Sequence, residues 1–131
     1  IPGVRVAGLQ RGPGETAPWV SHLWGASMDI LDTARQIATV DVVVTIDTMV
    51  AHLAGALGRP TWLLLQRDAD WRWMTGRRDS PWYGSCRLYR QARAGCWADP
   101  VAQVVRDLSA LAREPQGVSA FVGCMNDRHR A

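Results

Sequence analysis

The run Val42-Val43-Val44-Thr45-Ile46 is wholly β-branched, with no charge, glycine or proline to interrupt it. A strand with one wet face alternates apolar and polar residues. An uninterrupted run belongs to a strand covered on both faces, as in a parallel sheet. The run leads directly into Asp47-Thr48. A helical pattern follows from Met49 to Leu57, closed by Gly58 at the C-cap position and by Pro60 just beyond. Thr61 to Leu65 is then a second apolar strand. Strand, short helix and strand in this order read as a βαβ unit.

The rest of the chain continues the alternation. Val4 to Leu9 is a short strand ending at Gln10-Arg11-Gly12, and Val20 to Trp24 suits another. Asp32 to Val40 has helical spacing, with Asp29 or Asp32 as its cap. Asp68 to Ser85 is a tryptophan-rich loop with room for one helical turn, and Cys86 to Arg90 is a strand. Pro100 to Arg113 is the last helix, placing Val101, Val104, Val105, Leu108 and Leu111 on one face. The expected architecture is α/β: a Rossmann-like open, mainly parallel sheet with flanking helices over residues 1–113, followed by an irregular tail over 114–131.

Composition removes several function classes. All 15 basic residues are arginine, the net charge is +3, and the arginines are scattered apart from Arg77-Arg78 and the tail Arg128-His129-Arg130. A nucleic-acid face needs clustered positive charge, so none is expected. Cys86, Cys96 and Cys124 are widely spaced with no C-x-x-C, which predicts reduced thiols in a cytoplasmic protein rather than a zinc site or disulfide framework. No apolar run approaches the roughly 20 residues of a membrane span. The start Ile1-Pro2-Gly3 reads as a chain cut from something longer, or one whose natural start is not shown. The P-loop, dinucleotide and G-x-S-x-G fingerprints are absent. Asp68 and Asp70 alone are weak metal ligands.

Ligands of open parallel sheets bind beyond the carboxyl ends of the strands, which is where Asp47-Thr48 falls. Thr48 suits the N-cap of the following helix, with its hydroxyl accepting from a first-turn N–H. The remaining N–H groups, that of Met49 among them, and the helix dipole attract an anion. Val50, Leu53, Ala54 and Leu57 form the stripe expected to face the sheet. Thr48, Ala51, His52 and Gly55 form a neighbouring face whose small residues let something approach, with His52 as a further donor. The plainer alternative is ordinary capping, worth about 1 kcal/mol with no ligand at all. Among the seven tryptophans, Trp71, Trp73 and Trp82 lie close together with Tyr83. Such rings suit sugar or base stacking, and equally suit core packing or a partner surface.

The segment Val40 to Leu65, followed by Asp68 to Gln91, resembles the C-terminal domain of heptosyltransferase-like bacterial glycosyltransferases, above all the version that follows tetratricopeptide repeats. The resemblance rests on Asp47, Thr48, His52, Leu53 and Ala54, on Asp70 to Trp73, on Asp79 to Tyr83, and on Leu9 to Gly12, and covers about Pro2 to Leu111. It implies the nucleotide-sugar-binding half of a GT-B fold, with a nucleoside diphosphate sugar held at Asp47, Thr48, Met49 and His52. Gln10 and Arg11 would reach in from the end of a neighbouring strand, and Asp70, Trp71, Trp73 and Tyr83 are candidates for sugar or base contact. The acceptor domain that supplies a general base in that family has no counterpart here, nor does the family's first strand. Met49 stands where true heptosyltransferases carry glycine. The resemblance further implies no metal and no cofactor, since relatives of this fold generally work without a metal. The expected partners are a nucleotide-sugar and either a separate acceptor domain or a second copy of the chain, with no catalytic residue in this chain. The rival reading is a non-catalytic interaction domain that keeps the half-fold.

Overall fold

A computed structural model of the chain describes residues 1–9, 17–22, 29–113 and 118–122. Six strands form one sheet: β1 (Val4–Gly8), β2 (Val20–His22), β3 (Val42–Ile46), β4 (Thr61–Leu65), β5 (Cys86–Arg90) and β6 (Val118–Val122). Their spatial order is β2-β1-β6-β3-β4-β5, and every strand pairing is parallel. Three helices flank the sheet: α1 (Ile30–Ala38), α2 (Met49–Ala56) and α3 (Ala98–Leu111). The architecture is α/β and Rossmann-like. Among the described residues no helix is long and apolar enough to cross a membrane.

The β-branched run is buried on both faces, as its composition requires. Val42 and Val44 pack with Leu64, Tyr89, Val104 and Leu108 beneath α3. Val43, pointing the other way, packs with Leu9, Ile37, Val40 and Ala54 beneath α1 and α2. A third cluster joins Ala51 of α2 to Leu63, Leu65, Leu88 and Trp73. Asp29, rather than Asp32, caps α1: its carboxylate accepts from the Leu31 N–H at 3.1 Å.

Three expectations are corrected. Val118 to Val122, placed in an irregular tail, is β6, paired with five residues of β1 and three of β3. β1 and β3 do not pair with each other. A strand between them satisfies donors and acceptors on both flanks, which a chain with no local partner could not reveal. The sheet ends at β2 and β5.

The last helix begins at Ala98, with Pro100 inside its first turn, where no intrahelical N–H bond is lost. Only Val104 and Leu108 of its expected stripe are buried, whereas Val101 and Val105 are exposed. Helix α3 lies over β4 and β5. Val101 and Val105 instead line a groove of about 410 Å³ with Ile1, Val4, Val6 and Trp19.

The α2 stripe differs too. Ala51, Ala54 and Gly55 are buried, Val50 and Leu53 are half-buried, and Leu57 is an exposed C-cap. The smallest residues lie innermost because the helix is wedged against the tryptophan loop as well as against the sheet. Gly58, at φ +67°, terminates it in the left-handed conformation expected of a C-terminal glycine.

Candidate functional site

The chain between β3 and α2 turns at Asp47-Thr48, at the carboxyl edge of the sheet. Thr48 is the N-cap in an extended conformation, but its side chain caps nothing. Its hydroxyl lies 3.4 Å from that of Thr45, which donates to the Ile46 carbonyl at 3.1 Å. The expected Thr48 cap is corrected accordingly: its hydroxyl faces the buried Thr45 hydroxyl and makes no bond to a first-turn N–H. The first turn of α2 therefore receives no side-chain acceptor, and Met49 beside it is exposed.

His52, one turn in, is held from both sides. Its Nδ1 lies 3.0 Å from the Tyr83 hydroxyl, and its Nε2 lies 3.6 Å from Asp47 Oδ1. The ring also stacks on Trp73 at 5.4 Å. At 3.6 Å the contact is too long for a hydrogen bond, and it is an ion pair only with a protonated imidazole. If Tyr83 donates to Nδ1, the neutral imidazole carries its proton on Nε2, facing the Asp47 side.

The small-residue face of α2 is covered at Ala51 and Gly55. Its visitor is the chain's own loop. A Cβ built on Gly55 would sit 2.5 Å from Tyr83 Cγ, so the aromatic ring occupies the space that glycine leaves. Trp73 closes the same face from within the core.

The loop that carries these rings is tightly specified. Asp70 accepts from the Arg72 backbone N–H at 3.0 Å and from its guanidinium at 2.8 Å, which nucleates the single 3₁₀ turn Trp71–Trp73. The backbone N–H of Arg72 is the first cause holding the Asp70 carboxyl below its ordinary range, and the guanidinium adds to it. The buried Ser80 hydroxyl accepts from the N–H groups of Trp82 and Tyr83 at 3.2 and 3.3 Å. The Trp82 indole donates to the Arg72 carbonyl at 2.9 Å. Arg90, at the end of β5, reaches the carbonyls of Gln66, Arg67, Trp73 and Met74. It thereby ties the loop after β4 to the tryptophan turn.

Two clefts flank this arrangement. One, about 250 Å³, is lined by Asp47, Asp68 and Asp70 with Gln66 and Trp97 among its other walls. The other, about 290 Å³, is lined by His52, Arg72, Trp71, Trp73, Trp82 and Tyr83. The pairs Asp47–His52 and Asp70–Arg72 stand between them, each with its carboxylate on one side and its cation-forming partner on the other. No group of three His, Cys, Asp or Glu residues among the described residues is placed to hold a metal ion.

The fold thus gathers Asp47, Thr48, Met49, His52, Asp70, Trp71, Trp73 and Tyr83 around the start of α2. Gln10 and Arg11 lie outside the described residues. The strand they follow, β1, is separated from β3 by β6, which corrects its placement as an immediate neighbour. Ser80, Arg90 and Trp97 were not singled out by the sequence. Ser80 carried a signal in Ser80-Pro81-Trp82, a serine before a turn. Arg90 and Trp97 carried none, since their roles depend on contacts distant in sequence. Comparison with family models, with curated proteins and with solved structures gives no match.

Proposed function

We propose that this chain is the nucleotide-diphosphate-sugar-binding half of a GT-B glycosyltransferase of the heptosyltransferase-like kind. The observation that carries the reading is the uncapped start of α2 at the carboxyl end of β3, with His52 Nε2 beside it. First-turn N–H groups and the positive end of the helix dipole favour a diphosphate there. Asp47 orients His52 while the site is empty, and on binding the Nε2–H donates to a phosphate oxygen. Asp68 and Asp70 line the adjoining cleft. Carboxylates there repel a second anion but accept well from sugar hydroxyls, so the glycosyl group goes to that side. Gln10 and Arg11 belong to the same proposed ligand shell.

Turnover needs an acceptor held in line and a positioned general base. Both would come from an acceptor domain. The competing reading, an interaction domain without turnover, draws on one observation: both nitrogens of His52 already face partners within the chain. Titration with UDP, ADP and GDP, followed by backbone amide shifts, separates the two. Binding should move residues 47–52, and His52→Ala should weaken it by about tenfold, the loss of one charge-assisted hydrogen bond. Unmoved amides at millimolar ligand would remove the diphosphate reading, and acceptor-dependent release of nucleoside diphosphate by the chain alone would show that catalysis is complete within it.

A further inference from the structure

The two polar neighbours of His52 differ in kind, and together they leave its ring one arrangement. Asp47 Oδ1, 3.6 Å from Nε2, belongs to a carboxylate and offers lone pairs only. A lone pair on Nε2 would face that oxygen with like polarity, whereas an N–H there is attracted to it. A neutral imidazole has one N–H, so a proton on Nε2 leaves Nδ1 as an acceptor. The group beside Nδ1 is the Tyr83 hydroxyl at 3.0 Å, which is able to donate. Turning the ring over would put carbon atoms against both Asp47 and Tyr83 and lose both contacts. The Tyr83 side of this clamp is itself fixed. Its backbone N–H donates to the buried Ser80 hydroxyl at 3.3 Å. Its ring leans on Trp73 with centroids 6.3 Å apart, and His52 stacks on that same indole. Gly55 lies three residues beyond His52, on the same face of α2. A Cβ at Gly55 would meet the Tyr83 ring at 2.5 Å, so the missing side chain is what lets the phenol reach Nδ1.

We infer that Tyr83 is a positioning residue for His52. Its hydroxyl donates to Nδ1 and holds the neutral imidazole as the Nε2–H tautomer, with that N–H turned to the Asp47 side beside the uncapped start of α2. An imidazole held in this way donates to an anion without first taking up a proton. Tyr83 thus acts on the ligand through His52 and needs no contact of its own with a sugar or a base. The clamp is built from three places in the sequence: Asp47 from the β3–α2 turn, Gly55 from within α2, and Tyr83 from the tryptophan loop. Its purpose rests on the diphosphate reading, but the arrangement of the ring is a property of the protein without ligand, so the two are tested apart.

The test is ¹⁵N NMR of the full chain labelled in its histidine rings, at a pH above their titration, with the His52 signals identified as those lost in His52→Gln. In the wild type Nε2 should give a protonated, pyrrole-type signal and Nδ1 an unprotonated, pyridine-type one. Tyr83→Phe keeps the ring beside Gly55 and removes only the hydroxyl. In that variant the Nδ1 signal should move downfield, toward a pyridine-type nitrogen with no donor, while the α2 amide pattern is retained. A tyrosine that served packing alone would leave Nδ1 where it was. UDP affinity, followed by the amides of residues 47–52, should fall about fivefold in Tyr83→Phe, the loss of one neutral hydrogen bond. A pyrrole-type Nδ1 in the wild type would overturn the inference. So would an Nδ1 signal unmoved in Tyr83→Phe, or equal UDP affinity in the two proteins. If UDP binds neither protein, the diphosphate reading fails and the nitrogen signals alone decide whether Tyr83 positions His52.

Discussion

Gly55→Ala should destabilise the protein, although alanine is the better helix former. In an exposed helix interior the exchange gains about 1 kcal/mol. At this position the new Cβ would lie 2.5, 2.8 and 2.9 Å from Cγ, Cδ1 and Cδ2 of Tyr83. Carbon atoms in contact sit about 3.5–4.0 Å apart, so the ring must withdraw by roughly 1 Å. Overpacking of this kind costs about 1–3 kcal/mol. Withdrawal also breaks the Tyr83 hydroxyl contact with His52 Nδ1, now 3.0 Å, worth about 1 kcal/mol. Subtracting the propensity gain leaves a net loss of about 2 kcal/mol, or a fall in Tm of roughly 6–10 °C. Urea denaturation of four proteins measures it: wild type, Gly55→Ala, Tyr83→Ala, and the double variant. With Tyr83 truncated the clash is gone, so the same glycine substitution should become stabilising by about 1 kcal/mol. A Gly55→Ala single variant more stable than wild type would refute the wedge between α2 and the loop.

The two faces of α3 should respond differently: Val104→Ala, in the core, should cost about 1–3 kcal/mol, and Val105→Ala, exposed, less than about 0.5 kcal/mol, as read by denaturant midpoints. Equal losses would mean that the groove beside Val105 is filled. Asp70 and Asp79 both have carboxyl groups held below their ordinary value of 3.8, Asp70 first by the Arg72 backbone N–H and Asp79 first by the Arg77 guanidinium. Depressed carboxyl groups stabilise fully above their unfolded-state value and lose that contribution as pH falls through the lower folded value. Tryptophan fluorescence should therefore report the loop loosening only below about pH 4, and Asp70→Asn should lose that step. Arg90→Met removes the donor to four loop carbonyls and should speed amide exchange over residues 66–74 while β3 remains protected. Uniform loss of protection would instead make Arg90 a core residue.

The sequence alone determined the elements whose signals are local. The β-branched run of β3, the Gly58 terminator and the strands β4 and β5 depend on neighbours within a few residues, and each is where its pattern placed it, whereas the choice of Asp29 over Asp32 as the α1 cap came from the structure. Parallel α/β architecture followed from their order. Asp47, Thr48, Met49 and His52 were legible for the same reason, since a strand–turn–helix fixes their place at the sheet edge. The tertiary structure decided what fills the space beside them. Small residues on α2 announce a close approach but not the identity of the visitor, which is Tyr83 from 28 positions beyond Gly55. The Thr48 hydroxyl lies beside that of Thr45 and does not cap its helix, a rotamer choice that the capping pattern alone does not reveal. β6 was illegible because its partners, β1 and β3, lie more than seventy residues before it. A strand short of local partners shows as a strand only once the gap it fills exists. Exposed Val101 and Val105 belong to the same class: helical spacing states which residues share a face, and only the neighbouring layer decides how much of that face is covered.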